Sequence, residues 1–461
     1  LSNNASTYPS AAAPAPSSIW QLAWPTVLTS LLQTTVGLVD VKAVGTLGAS
    51  AVAAATAGQR VFFTLQAMLM GVSVGTAALV ARAWGSGDRA EAAHVMRSSM
   101  ALAVLLALGM ALLGVGLSEP AAHMFGLRGE AYTLAAIFMR WMSVVTLVFA
   151  IGFVLSSALR AAGDTRTPLI IGAIANLINI LGVYLFVYGG LGAPKLGIRG
   201  AALSAGLGFS TASALLFWLW QSGRLALPPS AADAQARTRM RAVLEVGYPA
   251  ALEQLVVQGG FIAFTFIIAR YFGTSALAAY GIGVQILSLS FVVGFGFSIA
   301  ASTLVGQHLG AGEPELARRS GWRAMRLAVG CMSVLALVII YWARAIAGLM
   351  ISDPHVVDLT VRLMTMLGLA QPLMAIDFAL SGALRGAGDT RFPLLSTFLG
   401  LICGRVLLSA VFTLLHFPVD FVYGALLADY AIKSQLLAAR FRSGRWQGVR
   451  YAGADAEHGA G

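Results

Sequence analysis

The chain is punctuated by long runs of apolar residues with almost no charge inside them. A bilayer-spanning helix needs roughly 20 such residues. Twelve runs meet that length, at about 19–44, 51–81, 93–117, 131–158, 168–190, 197–221, 242–270, 276–306, 324–346, 356–383, 393–415 and 419–439. None alternates strictly between polar and apolar, so strands are not expected. In lipid the backbone must satisfy its own hydrogen bonds, which leaves helices. Only 11% of the 461 residues are charged, 58% are apolar, and a soluble domain carries about 25% charged residues. The sequence therefore predicts an all-α integral membrane protein.

The net charge of +11 does not point to nucleic acid. The arginines sit between apolar runs, not along one basic face. With the N-terminus placed in the cytoplasm, nineteen arginines fall in inner loops and the C-terminal tail. Six basic residues, Lys42, Arg128, Lys195, Arg199, Arg270 and Arg344, fall outside. That bias predicts an even number of spans with both termini cytoplasmic, in the inner membrane of a cell. The opening stretch lacks a basic n-region and a short apolar core, so residues 1–18 read as a disordered tail, not a signal peptide. Residues 441–461 read as a second tail, loose from about Ser443. Cys331 and Cys403 lie in apolar runs and imply no disulfide framework.

"ALRAAGDTRTPL" (Ala158–Leu169) returns as "ALRGAGDTRFPL" (Ala383–Leu394), 225 positions later. "LGASAVAAATAG" (Leu47–Gly58) aligns with "FGTSALAAYGIG" (Phe272–Gly283) at the same offset. A constant offset across so much chain means an internal duplication. Six spans is an even number, so both copies enter the membrane in the same direction. This predicts an N-lobe (19–221) and a C-lobe (241–440) related by a pseudo-two-fold axis along the membrane normal. The polar stretch 222–240, with Pro228 and Pro229 at its centre, is the expected linker. Each AGDTR copy then forms a turn between the fourth and fifth helices of its half. Gly163 and Gly388 suit a helix end at positive φ. Asp164 and Asp389 are placed to cap the following helix.

Polar groups inside the spans mark the candidate site, because charge near the bilayer centre is costly. Asp40 ends a polar stripe on the first helix that includes Gln33 and passes Gly37. Its carboxyl can bind a proton or metal cation and release it when a cavity opens to water. Asn176 and Asn179 share one face of the fifth span, as glue between helices or as partners for an ion. In the C-lobe, Glu253 follows Pro249, with Gln258 a turn deeper, and Asp377 stands mid-span with Arg405 as its candidate counter-ion. Phe62, Met68, Phe153 and Tyr280, with several methionines, are candidate soft lining for apolar ligands. Gly71 and Gly75 form a GxxxG, a pattern common by chance.

None of the three lysines follows a glycine, so there is no P-loop, and no HExxH zinc motif is present. Neither an enzyme nor a resident cofactor is expected, and transport would draw on an ion gradient.

"VDVKAVGTLGASAVAA" (Val39–Ala54), both AGDTR loops and "WGSGDRAEA" together resemble multidrug and toxic compound extrusion (MATE) transporters, from about Trp20 to Arg440. The resemblance implies a twelve-helix, two-lobed exporter that exchanges protons or sodium ions for organic, often cationic, compounds; alternating access and a monomer are the expected working form. It places Asp40 on the family's ion-coupling aspartate and Asn179 on a fifth-helix asparagine, with any sodium held near these two. The family's "NIxLD" reads "NILGV" here, so Val183 stands where an aspartate is usual, which tilts the reading toward protons. Glu253 and Asp377 resemble in kind a carboxylate pair used by some branches. Two other readings remain open: a flippase for lipid-linked saccharides on the same fold, and a non-transporting receptor or scaffold.

Overall fold

The computed structural model describes residues 18–231 and 233–449. Most of the expected N-terminal tail, and residues 450–461 of the expected C-terminal tail, lie outside these. The described chain is helical throughout: α1 (Ile19–Gly45), α2 (Ala49–Gly85), α3 (Arg89–Gly116), the short α4 (Ser118–Met124), α5 (Gly129–Ala161), α6 (Arg166–Phe186) and α7 (Ile198–Gln221). After the linker come α8 (Ala236–Gly310), α9 (Pro314–Tyr341), the short α10 (Ala343–Met350), α11 (Pro354–Gly386), α12 (Arg391–Phe398), α13 (Leu408–Leu414) and α14 (Val419–Arg442). Among the described residues ten helices are long and apolar enough to cross a membrane. One of these is α8, which Gly273, at φ 77 and ψ −173, breaks into two spans. Another is Arg391–Leu414, which runs from α12 to α13 through a π-helical stretch, Leu399–Leu407. Counting α8 as two spans and adding the more charged α14 gives twelve, in the predicted order.

The apolar interior divides into two main clusters that match the two halves. Each borrows the start of the other half's first helix. Ile19, Leu22 and Ala23 of α1 pack in the C-lobe core, while Ala242 and Val243 of α8 pack in the N-lobe core. The lobes therefore interlock at one end, the end that carries both AGDTR loops and the linker, here called the basic end.

Paired close approaches of backbone build this seam. A Cβ on Gly71 would stand 2.7 Å from the Gly247 carbonyl oxygen, and one on Gly75 3.1 Å from the Val243 carbonyl carbon. Across the pseudo-axis, Gly296 sits against α1, where a Cβ would lie 3.1 Å from the Ala23 carbonyl oxygen. Thr303 Oγ1 donates to the Arg160 carbonyl at 3.1 Å and Gln307 Nε2 to the Ala161 carbonyl at 2.8 Å. Toward the other end, Gly37, Gly259 and Gly281 face open space. These close backbone approaches and hydrogen bonds between the lobes all lie at the basic end, where the lobes are zipped together.

The repeated loop has a structural task. Gly163 and Gly388 take φ 94 and φ 88, the left-handed conformation that glycine adopts without strain. Both turns close alike, with the Asp164 N–H on the Leu159 carbonyl and the Asp389 N–H on the Leu384 carbonyl, each at 2.9 Å. Thr165 Oγ1 donates to the Gln21 carbonyl at 3.4 Å, and Thr390 Oγ1 to the Val246 carbonyl at 2.6 Å, the same bond made once per lobe. Asp164 caps α6 as expected, accepting from the Arg166 and Thr167 N–H groups at 3.2 and 3.0 Å. Asp389 does not cap its helix. It accepts from Arg440 Nε of α14 at 2.8 Å, a partner of opposite charge that outcompetes two neutral N–H groups.

The linker and the C-terminal stretch are more firmly held than their polarity suggested. Leu225 and Leu227 are buried in the N-lobe core. Trp446 is fully buried, stacked on Phe441 with centroids 4.6 Å apart, and its Nε1 donates to the Phe441 carbonyl.

Candidate functional site

Asp40 stands five residues before the end of α1, toward the end opposite the basic one. At 1.5 Å per residue it lies roughly 30 Å from Ile19. Helix α1 packs along α6, where a Cβ on Gly172 would touch Thr29 at 3.7 Å. One turn further Asn176 and two turns further Asn179 follow on the same side of α6. Asp40 is half-buried and its carboxylate meets the Asn179 side chain. The pairing is incomplete: Asp40 Oδ1, Asn179 Oδ1 and Asn176 Nδ2 are each buried without a hydrogen-bond partner. Lys42 is exposed and makes no ion pair with Asp40 among the described residues.

Asn179 itself is fixed from behind. Helix α7 presses on it at Gly208, where a Cβ would sit 3.2 Å from Asn179 Cβ and 2.9 Å from the Ala175 carbonyl oxygen. Any larger residue there would push Asn179 away from α1. Gly208 escaped the sequence reading, because a glycine in an apolar helix carries no signal without its neighbour.

The C-lobe carboxylates sit in a different kind of place. Glu253 is buried and pairs with Arg385 at 2.8 Å, while Thr397 Oγ1 donates to it at 2.9 Å. Asp377 accepts from Ser381 Oγ at 3.3 Å. Arg405 is not its direct counter-ion. Arg405 pairs instead with Asp429 of α14, at 2.5 Å, and Lys433 pairs with the same carboxylate at 3.0 Å. The π-helical turn around Arg405 re-aims its side chain toward α14, which a regular helix count could not foresee. The guanidinium lies 5.4 Å from the Phe261 and Tyr430 ring centroids and 5.8 Å from that of Phe264. The sequence reading missed Asp429 and Lys433, although "DYAIK" places two opposite charges one turn apart inside a span. Arg140 and Arg362 are rim residues, paired with Glu119 and Asp420.

The proposed soft lining does not converge on one pocket. Phe62 is buried and packs with Phe149 and Phe209, at 5.8 and 6.1 Å between centroids, and Phe153 stacks on Phe149 at 5.0 Å. These rings belong to the N-lobe core. Tyr280 belongs to the C-lobe core, edge-on to Phe264. Met139, Met142, Met364 and Met374 are buried core residues. Gln33 and Met68 are exposed, while Gly37 and Gln258 are half-buried. A cavity of 380 Å³ opens at the basic end over the second AGDTR loop, between Asp389, Arg391 and Arg440. It is remote from Asp40, which is at the other end of its helix.

A family model described as MatE matches residues 25–185 and again 249–411. The chain belongs to the MatE family. The two matches fall on the two lobes, so the duplication seen in the loops is the family's own repeat. This MatE chain is 30% identical over 440 residues to a probable multidrug resistance protein NorM of Thermotoga maritima, covering 93% of this chain and 92% of the relative. It is 31% identical over 390 residues to the multidrug resistance protein NorM of Burkholderia vietnamiensis, covering 82% and 83%. Among solved structures, a mutant of the Vibrio cholerae MATE transporter VcmN superposes with a TM-score of 0.86 at 20% identity, over 93% of this chain and 97% of that one. An outward-facing MATE transporter superposes with a TM-score of 0.84 at 21% identity, over 93% and 94%. The MatE chain is thus a multi-pass membrane protein with the twelve-helix, two-lobed transporter fold.

Proposed function

We propose that this protein is a secondary active multidrug efflux antiporter. It exchanges protons, with sodium as the alternative ion, for organic and often cationic compounds by alternating access. Its relatives' names as multidrug resistance proteins support the substrate class. The observation that carries the coupling is the unsatisfied pair of oxygens, Asp40 Oδ1 and Asn179 Oδ1, far from the zipped basic end. A buried acceptor without a donor is costly, and a proton on Asp40 relieves it. Sodium would need several more oxygens. Val183, fully apolar and 2% exposed, stands where another carboxylate would supply them, which favours the proton.

In this reading the basic end is cytoplasmic, both termini are inside, and the protein works as a monomer in the cytoplasmic membrane. The zipped basic end then closes the cytoplasmic side, as an outward-facing state requires. Asp40 takes up a proton from outside, α1 shifts against α6, and the substrate leaves. Rocking of the lobes next exposes Asp40 inward, where it loses the proton and substrate binds again. Reconstitution into proteoliposomes tests this. A pH gradient should drive export of a fluorescent organic cation, and a sodium gradient alone should not. Export that ignores both gradients would refute antiport.

A further inference from the structure

The C-lobe interior gathers three carboxylates, Glu253, Asp377 and Asp429, with three cations, Arg385, Arg405 and Lys433. The pairing is uneven. Glu253 has Arg385, while Asp429 holds both Arg405 and Lys433. Asp377 has a hydrogen bond from Ser381 and, among the described residues, no ion pair of its own. Arg405, Asp429 and Lys433 are all buried.

Lys433 can serve both acids. Asp377 stands nine residues before the end of α11 and Lys433 nine before the end of α14. The two helices pack together and end on the same face, so both residues lie roughly 14 Å above the basic end. Arg405 is wedged among three aromatic rings, whereas Lys433 is a point charge on a flexible stem. Gly400 makes room for that stem, since a Cβ there would come within 2.6 Å of both Lys433 Cγ and Asp429 Oδ1. If Lys433 swings to Asp377, Asp429 keeps Arg405.

We propose that Lys433 is a tethered cation shared between Asp429 and Asp377, and that it takes the place of a dissolved metal cation in this lobe. With Lys433 the six charges sum to zero. Without it they sum to one negative charge in a buried site, which is costly unless a cation enters. Lys433 is then the residue that keeps sodium out of the C-lobe and leaves coupling to Asp40. The inference rests on the antiport reading, but binding can be measured apart from export, so a chain that exports nothing would still answer.

The experiment is equilibrium binding of radioactive sodium to the purified full chain in nanodiscs, in mildly alkaline buffer that keeps carboxylates ionised. Asp40→Asn serves as background to silence the N-lobe. With Lys433 present no saturable sodium binding is expected. Lys433→Gln should gain a saturable site of about one sodium per chain, because the uncompensated charge must be neutralised. Adding Asp377→Asn should remove that site, and Lys433→Arg should stay sodium-free. Lys433→Met repeats the test if the glutamine variant aggregates. Sodium binding that needs Asp377 while Lys433 is in place overturns the proposal. So does a monodisperse Lys433→Gln or Lys433→Met protein that gains none.

Discussion

Gly85 and Gly310 stand 225 residues apart and make the same contact twice. A Cβ on Gly85 would lie 2.6 Å from the Gln307 carbonyl carbon, and one on Gly310 2.8 Å from the Arg82 carbonyl carbon. Gln307 and Arg82 are themselves 225 apart. The lobes are zipped through a pair of equivalent backbone approaches at the ends of α2 and α8. Gly85→Leu or Gly310→Leu should wedge this end open. Overpacking costs about 1–3 kcal/mol, a shift of roughly fivefold to somewhat over a hundredfold against the zipped state. Spin labels across the seam should report a longer distance. Unchanged distances in a well-folded variant would remove the seam from the gating account.

Asp40→Asn should leave the protein folded and inserted, since an amide fits where the carboxyl sits half-buried. Coupled dye export should fall to the level of empty vesicles. Gly208→Leu should lower export as well, by displacing Asn179, although it touches neither lobe's partner. A Gly208→Leu protein with full export would show that the position of Asn179 does not matter.

Arg239, at the start of α8, grips the N-lobe through Glu91, with Nε and Nη2 donating at 2.8 and 2.6 Å, and it holds linker Asp233 at 2.8 and 2.6 Å. Hydrogen bonds to charged groups contribute roughly 1.5–3 kcal/mol. Arg239→Gln should therefore lower the melting temperature and speed protease cleavage in the linker. Arg239 holds the Asp233 carboxyl below its ordinary value of 3.8, chiefly by hydrogen bonding. A lowered acid pKa adds stability that is complete above the ordinary value and lost as pH falls through the folded one. The difference between wild type and Arg239→Gln should hold steady near neutral pH and shrink only below about pH 4. A difference that shrinks between neutrality and mild acidity would point to another group.

Asp429→Asn strands Arg405 and Lys433 without their shared carboxylate. Removing one partner of a buried ion pair costs about 3–5 kcal/mol. Asp429→Asn should lower thermal stability far more than Asp164→Ala, which loses a helix cap worth about 1 kcal/mol. Similar melting temperatures for the two variants would mean that water reaches the triad.

Several features were legible early because they depend on local chain properties. A span is set by length and apolarity, so twelve were visible in one dimension. The glycines of the AGDTR loops were legible for the same reason, since a left-handed turn needs glycine whatever surrounds it. Gly71 and Gly75 were visible but mute, because their pattern is common and only the opposed Gly247 gives it meaning.

The sequence by itself determined the membrane-spanning helices, the duplication and the turns between them, since these follow from backbone self-satisfaction in lipid and from repeated letters. Only the tertiary structure decided which charges meet. The two loops share the letters AGDTR, yet Asp164 caps a helix and Asp389 binds Arg440, because α14 presents an arginine two residues before its end where α7 presents Leu219. A buried charge takes whichever partner lies nearest in space, and in a helical membrane protein that partner comes from another helix, far away along the chain.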